Sequence, residues 1–176
     1  MAYYAKRKAM LATAGFAFFG TLFLFTVDNF LYALPALVFY AMLVINTYYS
    51  IRCFSSIASE NDKIAKVIDI GLAVLYLALA SAFDDIQRFL TIALFLFELA
   101  TLKYIMLLKA SAPEYKNLIR NKILLDALGV ISCSLALTLA LLGYSFYSIW
   151  FLAMLLLAAN IRLILIKPFY KIELMQ

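Results

Sequence analysis

Five ionisable side chains interrupt the long apolar stretches of this sequence. They are Asp69, Glu98, Lys103, Asp126 and Arg162. A charged group inside a membrane-spanning segment is energetically costly, and it therefore marks a candidate functional site. The positions of these five along their segments divide them into one isolated carboxyl group and two candidate ion pairs.

Glu98 is the isolated carboxyl group. It lies eleven residues after Gln87 and ten before Leu108, close to the middle of its apolar stretch. Lys103 follows five residues later, which is a poor spacing for contact along one helix face. A carboxyl group at this depth indicates proton or cation handling; the alternatives are a hydrogen bond that holds helices together and a subunit interface. The residues predicted at the same depth are Tyr40, Tyr76, Ser132, Cys133 and Ser134.

The other four residues form two predicted pairs. Asp69 lies 16 residues before position 85 and Lys103 lies 18 after it, while Asp126 and Arg162 each lie 18 residues from position 144. If the chain turns at positions 85 and 144, a rise of about 1.5 Å per residue brings each acid level with its base. We predict the pairs Asp69–Lys103 and Asp126–Arg162, either as the polar lining of a vestibule or as structural salt bridges. Asn46 and Asn160 lie at similar depth.

Several kinds of catalytic and metal chemistry have no basis in this composition. The chain contains no histidine and only two cysteines, which are 80 positions apart. Histidine-ligated metal or haem, histidine acid–base catalysis and Cys-x-x-Cys chemistry are therefore excluded. No glycine-rich phosphate loop occurs. We expect no enzymatic activity, no metal and no cofactor.

The elements that carry these residues are predicted to be membrane helices. The chain has 176 residues, of which 67% are hydrophobic and 14% are charged, far from the balance of a soluble domain. We predict an all-α integral membrane protein, a single domain over residues 1–176, because about 20 apolar residues span a bilayer. The six predicted spans are 10–27, 29–49, 66–83, 87–108, 123–143 and 146–166.

The basic residues predict the orientation. Twelve of the fifteen Lys and Arg residues flank the spans at ends that share one side of the membrane: Lys6, Arg7, Lys8, Arg52, Lys63, Lys66, Lys109, Lys116, Arg120, Lys122, Lys167 and Lys171. The positive-inside rule makes that side cytoplasmic, with both termini inside. This distribution explains the +5 net charge without a nucleic-acid partner. We expect a prokaryotic cytoplasmic membrane.

Short turns near residues 28–29, 85 and 144 divide the chain into three helical hairpins, 6–52, 63–109 and 120–167. The near-equal spacing indicates a threefold internal repeat. Gly15, Gly71 and Gly129 fall once in each odd-numbered helix, and glycine in a membrane helix usually allows close backbone approach.

Two functions fit these features. The first is a small transporter or channel for a small solute, a proton or a cation, with Glu98 at its centre, because transport sites commonly lie near the midplane. The second is a non-catalytic subunit or assembly factor of a larger membrane complex. A membrane-disrupting effector is not separable from a channel by sequence. The expected partners are the lipid bilayer and either further copies of the chain or other membrane subunits.

Overall fold

The described chain is all-helical. The computed structural model describes residues 2–55, 57, 63–166 and 169, and no strand occurs among them. The helices are α1 (Ala2–Leu24), α2 (Phe30–Phe54), α3 (Lys63–Ala80), α4 (Ile86–Ala110), α5 (Lys116–Leu139) and α6 (Ser145–Asn160). A 3₁₀ turn, Pro113–Tyr115, precedes α5, and π-helical segments, Ala140–Tyr144 and Ile161–Ile166, follow α5 and α6.

Polar residues and a glycine make the three predicted turns. Asn29 caps α2, since its side chain accepts a hydrogen bond from the Tyr32 N–H at 3.1 Å. Asp85 caps α4 in the same way, with the Arg88 N–H at 3.0 Å. Both caps satisfy amide groups that the first helical turn leaves free. At the third turn Gly143 has φ +96°, a conformation that favours glycine, and this non-helical residue makes the kink between α5 and α6.

Three helical stretches of the described chain are long and apolar enough to cross a membrane. They are Phe30–Phe54, Ile86–Ala110 and Pro113–Ile166, the last of 54 residues with the Gly143 bend inside it. The helix α3 has only 18 residues, and three of them are charged: Lys63, Lys66 and Asp69. The helix α1 carries Lys6, Arg7 and Lys8 near its start. The charged residues near the starts of α1 and α3 thus shorten the apolar part of both helices.

The helices run up and down between two ends. One end, here called the basic end, contains the starts of α1, α3 and α5 and the ends of α2 and α4. The opposite end, the turn end, brings the starts of α2 and α6 together, where the Tyr32 and Phe146 rings stack 5.9 Å apart. Lys167, Lys171 and the C-terminal residues after Phe169 lie outside the described part, as does the end of the third predicted hairpin.

The three hairpins do not pack equivalently. The first meets the second through α1 and α3, the second meets the third through α4 and α5, and the first meets the third through α2 and α6. A simple threefold rotation would use the same pair of helices at each interface. The glycines also differ: a Cβ at Gly129 would lie 2.5 Å from Cδ1 of Phe97, whereas one at Gly15 would have nothing within 4 Å. Equal spacing of the turns therefore does not produce threefold packing.

The bundle is packed at one end and hollow at the other. The turn half holds a continuous apolar core, with Phe39 edge-on to Phe89 and Tyr40 edge-on to Phe83. A smaller cluster at the basic end contains Cys53, Phe54, Tyr104 and Ile119. Between these two clusters lies a cavity that α1 to α5 line.

Candidate functional site

A cavity of about 570 Å³ opens at the basic end of the bundle. The lining comes from α1 to α5 and runs on α1 from Tyr4 to Phe16. Phe16 lies twelve positions after Tyr4, which corresponds to a depth of about 18 Å along the helix. The helix α1 runs from Ala2 to Leu24, so the cavity reaches past the middle of α1 and stops before its end.

An aromatic floor closes the cavity toward the turn end. The lining residues nearest the turns are Phe16, Leu43, Tyr76 and Leu96. The rings of Phe16 and Tyr76 are stacked with centroids 4.2 Å apart. The Tyr76 hydroxyl forms a hydrogen bond with the Thr47 hydroxyl. Beneath this layer the buried Tyr40 hydroxyl donates to the Phe16 carbonyl oxygen at 2.9 Å, so α1, α2 and α3 are tied together at the floor.

Asp69 and Lys103 form an ion pair in the cavity wall. Lys103 Nζ lies 2.5 Å from Asp69 Oδ1, and both residues line the cavity. This is the contact that their equal depth on adjacent antiparallel helices predicts. The Lys103 side chain is 24% exposed and the Asp69 side chain is 38% exposed, so the pair is accessible from the cavity.

The second ion pair differs from the prediction. Asp126 pairs with Lys122, whose Nζ lies 2.6 Å from Asp126 Oδ1, and the Asp126–Arg162 pair is wrong. Lys122 is one turn earlier on α5, and residues four apart share a helix face. Arg162 lies at the surface in the π-helical segment after α6. Lys122, predicted as a flanking residue at the membrane surface, is instead buried.

The Lys122–Asp126 pair is enclosed by the protein. Its side chains are 7% and 4% exposed, and Lys122 Nζ also lies 5.3 Å from the centre of the Tyr104 ring, within cation–π range. Asp126 Oδ2 is buried without a hydrogen-bond partner among the described residues. The pair contributes to the wall between the main cavity and a smaller one of about 130 Å³ that α2, α4, α5 and α6 line.

The two asparagines have different roles. Asn46 lines the cavity, and its Oδ1 accepts from the Ser50 hydroxyl at 3.4 Å. Asn160 is buried between α6 and α2, where Nδ2 donates to the Met42 carbonyl oxygen at 2.8 Å. Although Asn46 and Asn160 were predicted at similar depth, Asn46 lies in the cavity wall and Asn160 lies in a contact between helices.

Glu98 lies outside the cavity. Its side chain is exposed on the outer face of α4, beside the exposed Phe95 and Leu102. Within the described chain it has no ion-pair or hydrogen-bond partner. A helix turns by about 100° per residue, so the preceding residue, Phe97, lines the cavity while Glu98 faces away.

None of the residues predicted as neighbours of Glu98 forms a hydrogen bond with it in the described chain. The Tyr40 and Tyr76 hydroxyls belong to the floor. The Ser132 hydroxyl donates to the Leu128 carbonyl oxygen at 2.8 Å, Cys133 is a buried free thiol, and Ser134 is exposed. Depth along a helix leaves the rotation of these residues about the helix axis undetermined.

Sequence reasoning missed several lining residues that a helical stripe could have found. On α1, Tyr4, Lys8, Ala12 and Phe16 recur every four residues, and all four line the cavity. On α3, Lys66, Asp69 and Tyr76 share one face. Lys8 and Lys66 were predicted only as flanking charges, yet both belong to the lining near its mouth.

Comparisons of the chain with models of protein families, with curated proteins and with solved structures give no match. The features of the chain that bear on function are therefore the cavity and the side chains that line it. Among the described residues no group of three or more His, Cys, Asp or Glu side chains is arranged to hold a metal ion.

Proposed function

We propose that the chain is a transporter of a small solute that crosses the membrane six times, and that the cavity is its solute site. The observation that carries the proposal is the deep cavity at the basic end, which holds an accessible ion pair and ends at an aromatic floor. A volume of about 570 Å³ falls within the range of about 300–1,000 Å³ that small-molecule sites occupy. The proposal contains no catalytic step.

Exposed apolar side chains support six crossings. Large apolar residues face outward on α1 and α3 as well as on the three longer stretches, for example Leu11, Phe18, Val67 and Ile70. Water would solvate such surfaces poorly, whereas lipid suits them. Since α1 and α3 line the same cavity as α2 and α4, we place all six helices in the bilayer. The positive-inside rule then places the basic end in the cytoplasm of a prokaryotic cell.

The closed floor favours a transporter over a channel. Among the described residues, the cavity lining stops at the level of Phe16 and Tyr76, and a packed core fills the remaining distance to the turn end. A solute that enters from the basic end meets this layer. Its release on the other side requires the helices to rearrange around the site, as in alternating access.

We assign the solute site to the cavity instead of to Glu98, which lies outside it. Asp69 is the carboxyl group that is accessible there, and Lys103 is its partner. We therefore expect Glu98→Gln to leave solute uptake unchanged. An effect of Glu98 on uptake would return the site to the position first predicted from the sequence.

A vesicle experiment tests the proposal. The purified protein is reconstituted in phosphatidylcholine vesicles, and uptake is measured for three solutes that share a phenyl ring: benzenesulfonate, phenyltrimethylammonium and phenylalanine. We expect uptake of at least one above that of empty vesicles, and its loss in Ala73→Trp, which fills the cavity. The matched control is Val74→Trp, because Val74 lies one residue on but is 57% exposed on the outer face. No uptake of any of the three, or equal loss in both variants, would contradict the proposal.

The alternative is a non-catalytic subunit or assembly factor, and Glu98 is the observation that favours it. A carboxyl group on a lipid-facing surface is costly, and a partner protein that covers the outer face of α4 would remove that cost. The alternative predicts no uptake by the lone chain and co-purification with other membrane proteins in mild detergent. A stable species that contains only this chain would count against it.

A further inference from the structure

We infer that the solute is a small organic anion with an apolar body, bound with its charge at Lys103 and its body on the aromatic floor. This inference rests on the proposed function, because it assumes that the bound molecule is the transported solute. The binding of an anion in the cavity can be measured separately from transport.

The charges that line the cavity have a positive excess. The bases are Lys8, Lys66, Lys103 and Lys122, and the acids are Asp69 and Asp126, which gives 4 − 2 = +2. The enclosed pair of Lys122 and Asp126 is neutral as a unit. Among the described residues, the charges in reach of a solute are therefore three lysines against one aspartate, again +2.

The positive-inside rule does not explain all of this excess. Lys103 lies seven residues before the end of α4 at Ala110, which places it about 10 Å inside the end of the helix. Lys8 and Lys66 lie nearer the mouth, and neither has an ion-pair partner among the described residues. A passage with basic residues and low-dielectric walls concentrates anions, so the mouth attracts the same charge that Lys103 binds.

The floor selects the body of the solute. Phe16, Tyr76 and Phe97 present aromatic surface at the closed end of the cavity. On α4, six residues separate Phe97 from Lys103, a difference in depth of about 9 Å. A phenyl ring that carries one anionic substituent has dimensions that reach from the floor toward Lys103. An inorganic anion would leave the apolar floor empty.

Asp69 limits the affinity for the anion. It shares Lys103 Nζ with any bound anion, since it already accepts a hydrogen bond from that group at 2.5 Å. Removal of its charge frees Lys103 and lowers the repulsion of the anion. The two members of the ion pair therefore have opposite effects on anion binding, whereas a purely structural pair would show the same effect for both.

The test measures binding in lipid nanodiscs of phosphatidylcholine, by calorimetry, with benzenesulfonate and phenyltrimethylammonium as probes of equal body and opposite permanent charge. We expect benzenesulfonate to bind more tightly than the cation. Lys103→Gln should weaken its binding about tenfold, the effect of one lost charge-assisted hydrogen bond. Asp69→Asn should strengthen it about fivefold, as expected for a partly exposed pair. Glu98→Gln, outside the cavity, should leave both affinities unchanged.

Four outcomes would overturn the inference: tighter binding of the cation, weaker anion binding in both variants, an unchanged affinity in Lys103→Gln, or no binding of either probe. Lys103→Arg keeps the charge and guards against a folding artefact, because it should bind benzenesulfonate more tightly than Lys103→Gln does. Anion binding without any vesicle uptake would overturn the proposed transport and leave the anion site standing. Loss of benzenesulfonate binding in nanodiscs with phosphatidylglycerol would assign the same site to an anionic lipid headgroup.

Discussion

At the scale of single residues, depth along a helix and rotation about it carry different information. The depth of Asp69 and Lys103 predicted their contact, which the structure contains. The same reasoning failed for Asp126, because Lys122 stands one turn away on the same helix face. Glu98 was predicted to lie at the centre of the site, but its side chain is exposed on the outer face of α4. A search for i, i+4 partners would have predicted the Lys122–Asp126 pair. A search for residues that recur every four positions on α1 would have identified Lys8 as a lining residue.

The enclosed Lys122–Asp126 pair makes a prediction about stability. Asp126→Asn leaves the buried Lys122 charge without its counterion, and we expect a loss of about 3–5 kcal/mol in the free energy of unfolding. The double variant Lys122→Met with Asp126→Leu should recover most of that loss, since a well-packed apolar pair replaces a buried ion pair at little cost. Unfolding in mixed micelles with increasing dodecyl sulfate measures the free energy.

Arg162 supplies the control for this cycle. Because Arg162 is exposed and unpaired with Asp126, Arg162→Gln should change stability by less than about 0.5 kcal/mol. Its effect should add to that of Asp126→Asn without coupling. A coupling between Asp126 and Arg162 comparable to that between Asp126 and Lys122 would show that the predicted pair exists after all.

At the scale of helices, the sequence specified the turns better than the contacts. Asn29, Asp85 and Gly143 mark the turns, because capping side chains and a positive φ are local properties. Which helices pack together depends on side chains that are distant in sequence. The predicted repeat implied equivalent interfaces, and the structure has three different ones.

The glycines of α1 and α5 test this difference between hairpins. A Cβ at Gly129 would lie 2.5 Å from the Phe97 ring, so Gly129→Ala should cost about 1–3 kcal/mol by overpacking. Gly15→Ala meets open space and should stabilise α1 by up to about 1 kcal/mol, because alanine is the better helix former. The thermal unfolding midpoint in detergent measures both. Equal shifts would mean that the two glycines occupy equivalent places.

At the scale of the whole molecule, the proposed function rests on the contrast between a packed half and a hollow half. The turn half is filled by large side chains such as Phe39 and Phe89, while the basic half holds the cavity. Composition and charge predicted an all-helical protein with segments that suit a membrane. A polar vestibule was one of two interpretations of the ion pairs, but the extent of the cavity and its aromatic floor could not be predicted, because they depend on how distant helices pack.

The most direct test of the central claim is to measure from which side the cavity can be entered. A variant with Ala73→Cys, in a background of Cys53→Ser and Cys133→Ala, is reconstituted in sealed vesicles and treated with a membrane-impermeant charged methanethiosulfonate. We predict labelling at least tenfold faster from the basic end than from the turn end, because the open cavity reaches Ala73 and the floor closes it from the other side. Val74→Cys, on the outer face, should react from neither side. Equal labelling of Ala73→Cys from both sides, or no labelling from the basic end, would contradict a cavity that opens at the basic end and is closed by an aromatic floor.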